Sequence, residues 1–216
     1  MSRIKLDYMS VFPTVVWFGK SQIDNRRLRD KIDKFISENE ESDQLSNMGG
    51  YQKNGIQDEE LDQFIKDSIP ESEGKEFDKI FGAYSDPFDI FMWANKNGVG
   101  HWNERHQHFH HTVPTFLSGV YYVSVPSNSG VIRFYDPRGS MTAETLDQEY
   151  YFNSAPYQYI EPKDGMIVLF PPWLEHDVTV NNNEEEEDRY NIAFNIMMRP
   201  PDQRKQSGSE SDMWSD

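Results

Sequence analysis

At 216 residues the chain fits a single domain that can bury its own core, and its formal net charge of −16 argues against a nucleic-acid partner, since phosphate binding needs clustered Lys and Arg. It has no cysteine, which excludes disulfides, thiolate zinc sites and iron–sulfur clusters and leaves any metal to histidine and oxygen ligands. No charged start leads into an apolar run and no window approaches the roughly 20 apolar residues of a membrane span, so a cytoplasmic protein without membrane association is expected.

A strand-like opening, Ser10 to Phe18, comes first. Leu28, Ile32, Phe35 and Ile36 then recur at helical spacing and predict a helix from Asn25 to about Ser42. Leu61, Phe64 and Ile65 mark a second helix, and Phe77, Ile80, Phe81 and Tyr84 a third. Between the first two, Gly49 and Gly50 break any regular element. Residues 1–85 are therefore expected to form a mainly helical support region.

From Pro87 the pattern changes to short β-branched and aromatic runs between turn residues: Phe88 to Trp93, Phe116 to Val125, Gly130 to Tyr135, Tyr150 to Phe152, Tyr157 to Ile160, Gly165 to Phe170, His176 to Val180 and Tyr190 to Met198. Such a series suits an antiparallel jelly roll, and no strand–helix alternation suggests a parallel sheet. The expected fold is mainly β with N-terminal helices (α+β), a cupin-like double-stranded β-helix. One domain spans 1–205, with the jelly-roll core at 86–200 and a disordered tail at 206–216. The tail and the run Glu184 to Glu187 carry part of the acidic excess and read as solvated surface.

Five of the six histidines lie between His101 and His111, and the sixth is His176. Residues two apart on a strand share a face, so His106, His108 and also His110 could line one side while His111 faces the other. His176, from a different strand, would complete a three-ligand metal face across a jelly-roll cavity. Surface or hydrogen-bonding roles are the alternative, and they suit an isolated histidine better than this cluster. Thirteen residues after His176 comes Arg189, whose guanidinium fork can hold a carboxylate bidentately. Its alternative is a surface residue balancing Glu184 to Glu187.

Several ordered stretches carry a resemblance: Gly49-Gly50-Tyr51-Gln52; Trp93 to Asn97 leading to His106-Gln107-His108; Leu117 to Val123; Phe134 to Arg138; Gly165 to Pro171; and Leu174-Glu175-His176 followed by Arg189 to Asn195. Over about Ser46 to Pro200 the chain resembles the 2-oxoglutarate/Fe(II)-dependent oxygenases, particularly the prolyl-4-hydroxylase-like branch of bacteria and their viruses. The resemblance implies a dioxygenase that uses Fe(II), 2-oxoglutarate and O2, with ascorbate as a candidate reductant. It would hydroxylate a C–H bond of a protein or peptide, a peptidyl proline being the first candidate, with succinate and CO2 as coproducts. It makes His106 and His176 metal ligands and catalytic residues. His108 falls where the wider superfamily has Asp or Glu, so it is either a third ligand or a hydrogen-bonding neighbour, with Asp136 as the reserve carboxylate. The stretch before Ser118 is longer than the branch pattern, which keeps a His108/His110 pairing open.

The same resemblance places the 2-oxoglutarate C5 carboxylate on Arg189, with Tyr122 adding a hydrogen bond. Asn95 is either a donor to 2-oxoglutarate or a turn residue. Asp136 and Arg138 read as an ion pair, and Trp93, Trp102 and Trp173 as wall and core residues. Residues 181–188 lengthen the spacing from His176 to Arg189 and read as a solvent loop or a gate over the pocket. Two rival functions remain: a three-histidine cupin-type metal enzyme that does not use 2-oxoglutarate, and a non-catalytic jelly-roll binding module.

Overall fold

The computed structural model describes residues 14–43, 45–69, 88–108, 115–138 and 157–199. The expected third helix, the strand at Tyr150 to Phe152, His110 and His111 and the tail lie outside them. The first helix, α1 (Asn25–Glu38), starts where the Asp24 carboxylate accepts the N–H groups of Arg26 and Arg27, and it buries Leu28 and Ile32. It stops at Glu38 rather than near Ser42, because Asn39 leaves helical geometry and turns its own N–H and side-chain amide back onto the carbonyls of Ile36 and Phe35. The second helix, α2 (Glu59–Asp67), is capped by Asp58, whose carboxylate also takes Arg27 and Lys31 of α1 and so ties the two helices together. Those cations hold the Asp58 carboxyl well below the ordinary range despite its burial.

Among the described residues, eleven strands form two antiparallel sheets. The larger has the order β1 (Trp17–Lys20), β9 (Met166–Phe170), β6 (Thr115–Ser124), β11 (Arg189–Met198), β4 (Phe88–Asn97), β3 (Tyr51–Asn54). The smaller runs β2 (Asn47–Met48), β5 (Trp102–His106), β10 (His176–Val178), β7 (Ile132–Tyr135), β8 (Tyr157–Ile160). The jelly-roll expectation holds. The first 85 residues, expected to be mainly helical, also supply strands: β1 and β3 form both edges of the larger sheet and β2 an edge of the smaller.

On β11 the alternation of strand side chains divides the labour. Tyr190, Ile192, Phe194 and Ile196 pack toward α1 and α2 with Leu28, Ile32, Leu61 and Ile65. Arg189, Asn191, Ala193 and Asn195 point the other way and line a cavity between the sheets. Close approach at the centre is possible because residue 119 of β6 is glycine: a Cβ there would lie 2.5 Å from the Phe194 ring and 2.6 Å from the Val168 carbonyl. Among the described residues no helix is long and apolar enough to cross a membrane.

Candidate active site

Strands β5 and β10 bring His106 and His176 directly opposite each other. Their ring centroids are 4.3 Å apart, and the His108 ring lies 5.2 Å from His106 and 4.9 Å from His176. One potential ligand nitrogen from each falls within 4.8 Å of the others, close enough for a single ion to bridge all three. Sharing of one strand face does not explain this arrangement, because β5 ends at His106. The chain instead turns, and the His108 N–H donates to the Pro172 carbonyl at 2.8 Å.

Hydrogen bonds set the imidazole tautomers. The Nδ1–H of His106 is directed at the Glu104 carbonyl (2.6 Å) and that of His176 at the Leu174 carbonyl (2.9 Å), which turns each Nε2 lone pair outward. His108 presents Nδ1 to the Asn195 side-chain oxygen (3.1 Å), which also accepts from the Ser118 hydroxyl (2.7 Å). Burial pushes the His176 imidazole well below its usual pKa, reinforced by the two neighbouring histidines, and burial lowers His106 as well. Burial therefore favours the neutral form of His106 and His176, the form a metal requires. Trp93 sets its edge against His108, and Phe170 packs on His176.

The same cavity, of about 660 Å³, reaches Arg189, Tyr122 and Asn95. Arg189 is 1% exposed. Its Nη1 donates to the Ser129 carbonyl at 2.6 Å, while Nε and Nη2 have no hydrogen-bond partner among the described residues. A buried cation with two unmet donors is costly, and an anion entering the cavity is the natural remedy. Burial lowers the Arg189 pKa and pushes the Tyr122 phenol up to about 12, so Tyr122 remains a neutral donor. Gly130 permits the close fit. It has φ +94°, and a Cβ would come 2.3 Å from the Thr179 carbonyl oxygen and 3.0 Å from Arg189 Nη1.

Other expected residues fall elsewhere. Asp136 is no reserve ligand: its carboxylate takes the backbone and guanidinium of Arg138, away from the cavity. Asn95 is not a turn residue; it lies within β4, lines the cavity, and donates to the Asn191 side-chain oxygen at 2.9 Å. Trp93 is a wall residue, whereas Trp102 and Trp173 are considerably exposed rather than core. The loop 181–188 does not line the cavity. Buried Asn181 and Asn183 pin it to the Asn97 and Ser127 carbonyls, and Glu184 to Glu187 face solvent. Sequence reasoning passed over Asn195 and Asn191, although these asparagines alternate with the apolar Tyr190, Ile192, Phe194 and Ile196 and so mark a cavity-facing edge. It also passed over Gln52, a buried cavity residue whose Oε1 has no hydrogen-bond partner among the described residues and which no periodic signal marks.

Residues 91–195 match the family described as "Putative 2OG-Fe(II) oxygenase". No curated protein sequence matches the chain. Among solved structures, a Pseudomonas putida prolyl-4-hydroxylase superposes with a TM-score of 0.56 at 16% identity, covering 87% of this chain and 94% of the other. A Trichoplax adhaerens prolyl hydroxylase, in complex with a peptide fragment of the hypoxia inducible factor oxygen degradation domain, gives 0.54 at 13% identity over 85% and 83%. AviO1 from Streptomyces viridochromogenes gives 0.53 at 14% identity over 87% and 92%. These structures share the fold. The family match over residues 91–195, together with the three-histidine cluster, indicates a 2-oxoglutarate/Fe(II)-dependent oxygenase. It is a dioxygenase whose cofactor is Fe(II) and whose cosubstrates are 2-oxoglutarate and O2.

Proposed function

We propose that His106, His108 and His176 hold the Fe(II), that Arg189 and Tyr122 hold the C5 carboxylate of 2-oxoglutarate, and that the substrate is a protein or peptide hydroxylated at proline. The carrying observation is the conjunction, in one cavity, of three clustered imidazoles and a buried guanidinium with two unmet N–H groups. The guanidinium fork suits a carboxylate, and Tyr122 adds a neutral hydroxyl beside it. Asn195, through its bond to His108 Nδ1, fixes that ring in the orientation a ligand needs. Trp93 and Phe170 pack their rings against His108. Bound Fe(II) supplies the oxygen chemistry that no side chain can.

The prolyl hydroxylases among the structural neighbours support the prolyl-4-hydroxylase-like branch, and the peptide bound to the Trichoplax enzyme supports a peptidyl substrate. One domain, 1–205, carries the activity, and the cytoplasm is its compartment. Anaerobic titration with Fe(II), with and without 2-oxoglutarate, tests the reading. A weak visible charge-transfer band should appear only when both are present. Metal binding without the band would favour a three-histidine cupin-type enzyme, and no metal binding a non-catalytic module. Incubation with proline-containing peptides, read by a mass gain of one oxygen atom, tests the substrate.

A further inference from the structure

The five-stranded sheet carries a second organised set of side chains on the face turned away from the cavity. His176 points inward from β10, so its chain neighbours Glu175 and Asp177 point outward. The Asp177 carboxylate accepts Arg133 Nε at 2.8 Å, a second nitrogen of the same guanidinium, and the Tyr135 hydroxyl at 2.7 Å. Glu175 pairs with Arg105, whose guanidinium carbon lies 4.0 Å from the centre of the Tyr135 ring. Arg133 in turn lies 5.0 Å from the centre of the Tyr157 ring. The circuit joins β5, β10, β7 and β8, and it closes on itself through Tyr135.

This circuit sits beside an interruption in the strand pairing. Strand β10 is three residues long, and its register with β5 shifts between His176 and Val178. The ladder is thus interrupted immediately beside the two paired histidines. Three members of the circuit are one residue from a histidine: Arg105 precedes His106, while Glu175 and Asp177 flank His176. Every carboxylate in the circuit has a guanidinium partner, so the set contributes geometry rather than net charge. The Arg105–Glu175 pair is about half exposed and individually weak. Asp177, with a side chain only 10% exposed, holds the inner half.

We infer that Asp177, Tyr135 and Arg133 are positioning residues for the metal centre, which set the separation of His106 and His176 from the opposite face of the sheet. This rests on the three-histidine metal reading and adds the element that makes it rigid. A site loosened by a fraction of an ångström loses affinity although all its ligands remain.

Titration of the apoprotein with Co(II), followed by the d–d absorption of the bound ion, tests the inference alongside thermal melting. Asp177→Asn preserves volume, and Tyr135→Phe keeps the ring under Arg105 while deleting one hydrogen bond. Asp177→Asn should raise the Co(II) dissociation constant about tenfold, the scale seen when partners that orient metal ligands are lost, and should alter the d–d band. Tyr135→Phe should raise it about threefold, and 2-oxoglutarate affinity at saturating metal should be unchanged in both. Cobalt affinity and band shape like wild type in both variants, or a drop in melting temperature without a change in either, would overturn the inference. If Asp177→Asn does not fold, Tyr135→Phe alone decides. A wild type that binds no Co(II) would overturn the metal reading and this inference together, an outcome distinct from a binding wild type with unaffected variants.

Discussion

The two sheets meet at one cavity but are built on opposite plans. In the larger, β4, β6 and β11 are each ten residues long, β11 pairs with β4 without a break, and the outer face is sealed by two helices over an apolar layer. In the smaller, strands run from two to five residues and the outer face carries ions and tyrosines. Arg189 stands on the first sheet, His106 and His176 on the second. Arg189, the proposed carboxylate anchor, thus sits on a platform fixed by hydrophobic burial, and the histidines sit where side-chain contacts must make up for short ladders. Damage to one sheet should therefore affect one function.

The largest expected effect is on the smaller sheet. His176→Ala removes one of three donors, and elemental analysis should find almost no bound iron after desalting, while 1:1 iron in this variant would refute the triad. On the larger sheet, Arg189→Ala should raise the 2-oxoglutarate concentration for half-maximal turnover at least about tenfold, since a charged bidentate contact is worth about 1.5–3 kcal/mol. Metal content should stay at the wild-type level, and Arg189→Lys should recover only part of the loss. Unchanged 2-oxoglutarate dependence would move the anchor elsewhere.

Behind the larger sheet, Asp58→Asn should cost about 1 to 2 kcal/mol in urea unfolding by loosening the α2 cap and its bonds to Arg27 and Lys31. The folded Asp58 carboxyl lies below its unfolded value of about 4, so its contribution is complete above that pH and fades as the pH falls toward the folded value. The variant should therefore differ most from wild type at neutral pH and converge with it in acid. A constant difference would assign the loss to packing. The smallest effect is expected of His108→Asp, which keeps a donor where the wider superfamily has a carboxylate. Its metal affinity should stay within about threefold of wild type, and a loss as large as that of His176→Ala would show that an imidazole is required there.

What the sequence disclosed followed from residue chemistry and period. Histidines in a close pair plus a distant one, with a following arginine, bring together the residues that meet in the cavity, and the alternating runs at Phe88, Phe116 and Tyr190 are strands as expected. Less legible was whatever depends on contacts between distant segments. Strands of two and four residues such as β2 and β3 have no periodicity to read. His108 reaches the site because a turn is held by the Pro172 carbonyl, 64 positions along the chain. The acidic loop is tied down by Asn181 and Asn183 rather than left to swing, which composition alone does not reveal.

The wide separation of His106 from His176 along the chain gives a bound ion a thermodynamic role besides chemistry. An ion held by both closes a loop of about 70 residues, as a disulfide would, in a chain with no cysteine. By the chain-entropy account of cross-links, a closure of that length restricts the unfolded ensemble by about 4 kcal/mol. Iron loading and resistance to unfolding are then two readings of one equilibrium: chelation should lower the melting temperature even where turnover is never measured, and unfolding should release the metal.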